Sequence, residues 1–163
     1  MRGLRSWLRG EDAVLVDTLA PTPAGSPGPC APEDRAALRR VAAEAVILQD
    51  RAEDVIAQIR GHGHLGLIAP RAGPLVRRFF SLRDDLPTRC ADTDDERLRH
   101  VLDVALHNHA LLLSMAMDLL AHEGRSPRLA DAVGRIEGLG TAAAALDAAY
   151  AELAATAPHS LAT

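Results

Sequence analysis

The sequence predicts an all-α protein: an antiparallel helical bundle of three long helices plus one short helix, behind a flexible N-terminal arm. Apolar residues recur at alternating spacings of three and four over long windows, the period of a helix with one buried stripe. No window of useful length alternates with period two, so a sheet is not expected. The composition is 48% hydrophobic but only 2% aromatic, and this aliphatic, alanine-heavy material favours helices. At 163 residues, one domain around one core is the natural organisation.

Residues 1–31 read as a separate arm. Met1 to Gly10 is a short basic amphipathic piece, and Glu11 to Ala20 has no clear period. Pro21 to Pro29 alternates prolines with glycine and small residues. Proline locks φ and removes a donor, and glycine adds backbone entropy, so this stretch is expected to form a semi-extended linker. The bundle domain then covers 32–158, and 159–163 is a disordered tail.

The first helix is expected from Pro32 to Arg60. Pro32 suits the first helical position, and Glu33 and Asp34 suit the positive end of the helix dipole. Leu38, Val41, Ala45, Leu48, Ala52, Val55 and Ile59 form a heptad seam, and Gly61 ends the helix. Residues 61–73 read as a loop, followed by a short helix from Pro74 to about Asp84 with Leu75, Val76, Phe79 and Phe80 on one face. Thr93 and Glu96 match a capping box that opens the third helix, which runs to Glu123 and stops at Gly124. Ser126 and Pro127 then open a fourth helix running to Pro158, with the seam Leu129, Ala132, Ile136, Leu139, Ala143, Leu146, Tyr150 and Leu153.

Composition excludes some chemistry. All 18 basic residues are arginine, so there is no Schiff-base, P-loop or general-base lysine. Codon bias in a GC-rich bacterial genome accounts for the arginine and alanine richness. The net charge of -4 gives no strong pull toward nucleic acid or an anionic membrane. Cys30 and Cys90 stand alone, outside any C-x-x-C pair, which fits a reduced cytoplasmic chain. No apolar run nears the ~20 residues a membrane span needs. The run Ala13 to Val16 is shorter than the ~7–15 residues of a signal-peptide core.

The third helix carries the candidate chemistry. His100, Asp103 and His107 share a polar stripe, and Asp103 and His107 have the spacing of a chelating pair. His62 and His64 would add ligands if their loop folded over that stripe. This is the only metal-like constellation, and a solvated polar stripe explains it equally well. No cofactor is implied. The inward glutamates of ferritin-like bundles are absent. Neither His107 nor His109 is followed by the basic residue and glycine of a phosphorelay acceptor. Gly61 to Gly66, with nearby arginines, offers backbone N–H groups to an anion but lacks the lysine and hydroxyl of a P-loop. Cys90 precedes a helix N-terminus, where a thiolate is favoured. His109 lies mid-way round the apolar arc and is expected to be a buried, neutral histidine bonded to a backbone carbonyl or to Asn108 or Ser114 of a neighbouring chain or helix, the alternative being an acid/base or ligand histidine in a pocket.

The apolar arc of the third helix is wider than one stripe. Val104, Leu111, Leu106 and Met117 extend it almost to the polar residues. The short helix is too short to cover the excess, so Val104, Leu111 and Met117 are expected at an interface with a second copy or another protein. Leu4, Trp7 and Leu8 lie on one face of the N-terminal tip, ringed by arginines. They are candidates for docking on a protein groove, with only weak membrane contact. The expected function is a non-enzymatic interaction, adaptor or regulatory protein working through helix faces. The alternative is a small metal- or ligand-binding bundle using the histidines and aspartate of the third helix.

Overall fold

The computed structural model describes residues 32–155, and within them every regular element is a helix. The chain forms α1 (Pro32–Arg60), α2 (Leu65–Asp84), α3 (Thr93–His122), a 3-10 turn (Glu123–Arg125), α4 (Pro127–Gly134) and α5 (Gly140–Ala155). The arm 1–31, with Leu4, Trp7 and Leu8, and the tail 159–163 lie outside the described residues.

α1 follows its sequence pattern. All seven residues of its heptad seam are buried, so that seam is consumed inside the bundle and is not available to a partner. The helix closes on a Schellman arrangement. The N–H of Gly63 donates to the Gln58 carbonyl at 2.9 Å and that of His62 to the Ile59 carbonyl at 2.9 Å. The left-handed position that such a cap requires is filled by His62, at φ 55°, and not by a glycine. Its ring nitrogen pairs with the Glu123 carboxylate at 2.6 Å.

The expected loop 61–73 and short helix are corrected by α2. It begins at Leu65, and Pro70 and Pro74 lie inside it. His64 caps it, its ring nitrogen accepting the Gly66 N–H at 3.2 Å. Each internal proline removes a backbone hydrogen bond and costs up to about 3 kcal/mol. Burial of Ile68, Ala72, Leu75, Phe79 and Leu82 offsets that. Tertiary packing thus overrides a local pattern of glycine and proline.

α3 is the central element, packing against α1, α2, α4 and α5. Its N-cap is Asp92 and not Thr93: the carboxylate accepts N–H groups from Asp94 at 2.8 Å and Asp95 at 3.2 Å. A charged acceptor at the positive end of a helix is the stronger cap. Glu96 does reach back, but to the N–H of Cys90 at 2.8 Å, and it also pairs with Arg99. Those two partners hold the Glu96 carboxyl down at about 2, against an ordinary 4.5. A lowered carboxyl stabilises the fold above its ordinary value and loses that contribution as pH falls toward the folded one. The melting temperature should therefore fall between pH 4.5 and about 2, and Glu96→Gln should flatten that part of the curve. Identical melting-versus-pH curves for parent and variant would contradict this linkage.

The single fourth helix of the sequence pattern is two helices, α4 and α5, with a break at 135–139. Gly138 and Gly140 have φ of 96° and 59°, values that side chains disfavour. A Cβ at Gly138 would stand 2.7 Å from a Glu53 carboxylate oxygen. That carboxylate accepts the Leu139 N–H at 2.8 Å, capturing a backbone group that a continuous helix would use internally. Most of the expected seam still faces inward, with Leu139, Leu146 and Leu153 buried.

Arginine side chains join the helices in pairs: Arg35 to Asp95 (α1–α3), Arg78 to Glu44 (α2–α1), Arg83 to Asp103 (α2–α3) and Arg97 to Glu152 (α3–α5). Most are partly exposed and contribute little to stability. Asp95 differs, being 1% exposed.

Candidate functional site

α3 presents three distinct surfaces. On the buried side, Leu98, Leu102, Leu106, Leu113 and Leu120 enter the core together with His109. The His109 ring lies 5.1 Å from that of Phe79. Its Nδ1 lies 2.6 Å from the Ala105 carbonyl oxygen, so Nδ1 carries the proton and donates. Nε2 then bears a lone pair that meets no donor. Burial pushes the His109 pKa below its ordinary value, against a smaller opposing effect of the Ala105 carbonyl and the carboxylates of Glu53 and Asp147. The ring is a neutral core group, as its place in the apolar arc implies.

Beside the core lies the stripe expected to hold a metal. His100 and His107 are exposed, but Asp103 is bound by Arg83, whose guanidinium holds the carboxyl below its usual range. The central ligand is therefore already paired with a cation. Arg83 lies on α2, twenty residues away in sequence, so nothing in the local pattern of α3 marks the pairing. His62 and His64 do not join the stripe: one pairs with Glu123 at the far end of α3, and the other caps α2. Among the described residues, no three histidine, cysteine or acidic side chains cluster closely enough to hold a metal ion.

Two further candidates dissolve for similar reasons. The N–H groups of Gly61, His62, Gly63 and Gly66 are all used in capping α1 or opening α2, so they do not form an anion cradle. The Cys90 thiol is pushed up to about 11 by burial and by the carboxylates of Asp34, Glu96 and Asp95. Those groups outweigh the favourable helix terminus, and the thiol is the reverse of an activated nucleophile.

The outward face of α3 remains. Val104, Leu111 and Met115 are 43%, 44% and 56% exposed. They form a row along the helix, interrupted by His107 and Asn108. Phe80 of α2 stands beside that row, its ring 6.4 Å from the ring of His107. Shallow apolar grooves flank it. One lies against α5 and is lined by Val101, Val104, Ala142 and Ala145. The other lies against the α4–α5 connection and is lined by Leu112, Leu119, Ile136 and Leu139.

Of the three residues expected at an interface, Val104 and Leu111 are on this face, whereas Met117 is partly buried against the core. Met115 and Phe80, at 56% and 39% exposure, take its place. Met115 continues the outward row because it lies four residues beyond Leu111, one helical turn on. By length and composition alone, the segment Thr93–Arg125 is apolar enough to cross a membrane, with a mean hydropathy of 1.3 over its best 18 residues. That revises the expectation that no apolar run nears such a length. Part of this apolarity lies in the bundle core and part on the exposed row. Comparison with protein-family models, curated proteins and solved structures gives no match.

Proposed function

We propose that this chain is a non-enzymatic interaction protein that works through the outward face of α3. The observation that carries the reading is the row Val104, Leu111 and Met115, left exposed along one face of the central helix with Phe80 beside it, whereas the other large exposed apolar side chains, Ile47 and Leu67, stand on different helices, α1 and α2. The bundle has material to cover that row and does not use it: α2 is a full 20 residues long, yet Leu111 stays open. An apolar row at helical spacing, bordered by grooves, fits a partner helix. Glu96, Asp103 and Glu44, whose carboxyl pKa values are lowered, are engaged in ion pairs with Arg99, Arg83 and Arg78. They have the arrangement of structural contacts and not of a convergent catalytic group. Binding of a metal at His100, Asp103 and His107 is the less favoured reading, because it would have to displace Arg83 from Asp103.

A photo-crosslinking residue placed at Leu111 tests the proposal in the native cell, with Ala57 on the exposed side of α1 as control. The expected result is a discrete adduct from position 111, lost when Val104→Asp is added, and none from position 57. No discrete adduct, or equal labelling from both positions, would remove the reading.

A further inference from the structure

The outward seam of α3 carries opposite charges at its two ends, Arg97 and Asp118. α3 has 30 residues, and its midpoint falls between His107 and Asn108. From that midpoint the exposed seam positions recur at the same separations in both directions: Val104 and Leu111 first, then His100 and Met115, then Arg97 and Asp118. The seam is therefore a palindrome of positions, with a positive residue near one end and a negative residue near the other.

We infer that this face closes on a second copy of the chain, α3 packing antiparallel to α3 of the partner about a twofold axis at His107 and Asn108. The inference rests on the reading of this face as an interaction surface and specifies what covers it. A twofold interface places each residue opposite the one equally far from the axis on the other side. Val104 then meets the partner's Leu111, and Leu111 the partner's Val104, giving two apolar layers. His100 packs over the partner's Met115. Arg97 meets the partner's Asp118, so opposite charges pair at both ends. A parallel arrangement in register would set Arg97 against the partner's Arg97 and Asp118 against the partner's Asp118, and is disfavoured by like charge.

Within its own chain Arg97 already donates to Glu152. A guanidinium has five N–H donors and serves a second carboxylate without losing the first. Asp118 is exposed and available to it. At the axis, His107 lies opposite the partner's Asn108, a polar layer between two apolar ones. Polar groups at a seam position fix register and orientation at some cost in affinity. Asn108 is the sole asparagine of the chain. With few apolar layers and a polar centre, a dimer of micromolar affinity is expected and not an obligate one.

The test is a charge-swap cycle read by sedimentation of the full chain. All swap variants are built on Glu152→Gln, so that the intrachain partner of Arg97 does not change with them. The Glu152→Gln protein should dimerise like the parent. Arg97→Glu and Asp118→Arg should each weaken association about tenfold or more, since each acts at both ends of the dimer. The double variant should recover to within about twofold of the parent. Leu111→Glu should be monomeric with unchanged helicity.

A parent that stays monomeric throughout the micromolar range overturns the inference. So does a dimer, sensitive to Leu111→Glu, in which the double swap is as weak as the two single swaps combined; the orientation is then wrong while the face reading stands. A monomer whose position-111 adduct maps to residues 1–31 or to a different protein likewise assigns the face to that occupant. If no adduct forms either, both readings fall together.

Discussion

His109→Asp should destabilise the domain by about 3–5 kcal/mol, the cost of an uncompensated buried charge. That is a large share of the ~5–15 kcal/mol that holds a domain of this kind together. The site is fully enclosed, at 0% exposure. It is bordered by the Phe79 ring at 5.1 Å, and no donor stands ready for a carboxylate. Glu53 and Asp147 also act on this position electrostatically, so a new negative charge would be repelled as well as desolvated. The parent histidine carries a related, smaller liability. Its folded pKa lies below the ordinary 6.5. As pH falls through 6.5 the unfolded chain takes up a proton that the folded chain refuses, and stability declines until the folded value is reached. His109→Leu removes both the titrating group and the unpartnered Nε2. It should leave stability at pH 7 equal to or above that of the parent and flatten the acid side of the curve. Urea unfolding at several pH values checks all three statements. A His109→Asp protein that unfolds with the parent would mean that this side chain does not occupy the core.

Arg35→Ala should have the second-largest effect, about 3 kcal/mol at neutral pH, because it leaves Asp95 buried without its guanidinium. Asp95 is 1% exposed and paired with Arg35 across the α1–α3 interface. Burial, the largest influence, raises its pKa, Arg35 lowers it, and the nearby carboxylates of Asp92 and Asp34 raise it further, so that it stands above its ordinary value. For a carboxyl with a raised folded pKa, protonation favours the folded state, so acidification through that value relieves the strain. Loss of Arg35 raises the pKa further. The penalty of Arg35→Ala should therefore shrink as pH falls, and Asp95→Asn in the same chain should recover much of it. Chemical denaturation of the two single variants and the double variant measures the coupling. An Arg35→Ala cost below about 0.5 kcal/mol, the level of an ordinary surface change, would show that the pair is not buried in solution.

Several elements were legible from the sequence because the cause was local. α1 follows its pattern from end to end: its first turn holds Glu33 and Asp34, its seam is uninterrupted, and a Schellman cap closes it. His109 was legible from its angular position among leucines. Where the cause was distant, the pattern misled. Pro70 read as part of a loop and Pro74 as the start of a short helix, but the core contacts of Ile68, Ala72 and Phe79 hold the chain helical through both. The seam of α4 and α5 is continuous in sequence, and the break comes from Glu53, on another helix, binding the Leu139 N–H.

The same division runs through the candidate site. The excess of apolar surface on α3 was visible in Val104 and Leu111. The exchange of Met117 for Met115 was not, because it depends on where α2 and α5 sit around the helix. The metal-like triplet His100, Asp103 and His107 has suitable spacing. What weighs against it is the pairing of Asp103 with Arg83, which no local spacing reports.

The central claim is that α3 carries an interaction face that closes on a second copy. The molar mass of the full chain in solution, measured by light scattering across the micromolar range, tests it most directly. The account predicts a mass rising toward twice the 17.3 kDa of one chain, and returning to a single chain's mass in Leu111→Glu at unchanged helicity. A parent that holds at 17.3 kDa over the whole range would contradict it.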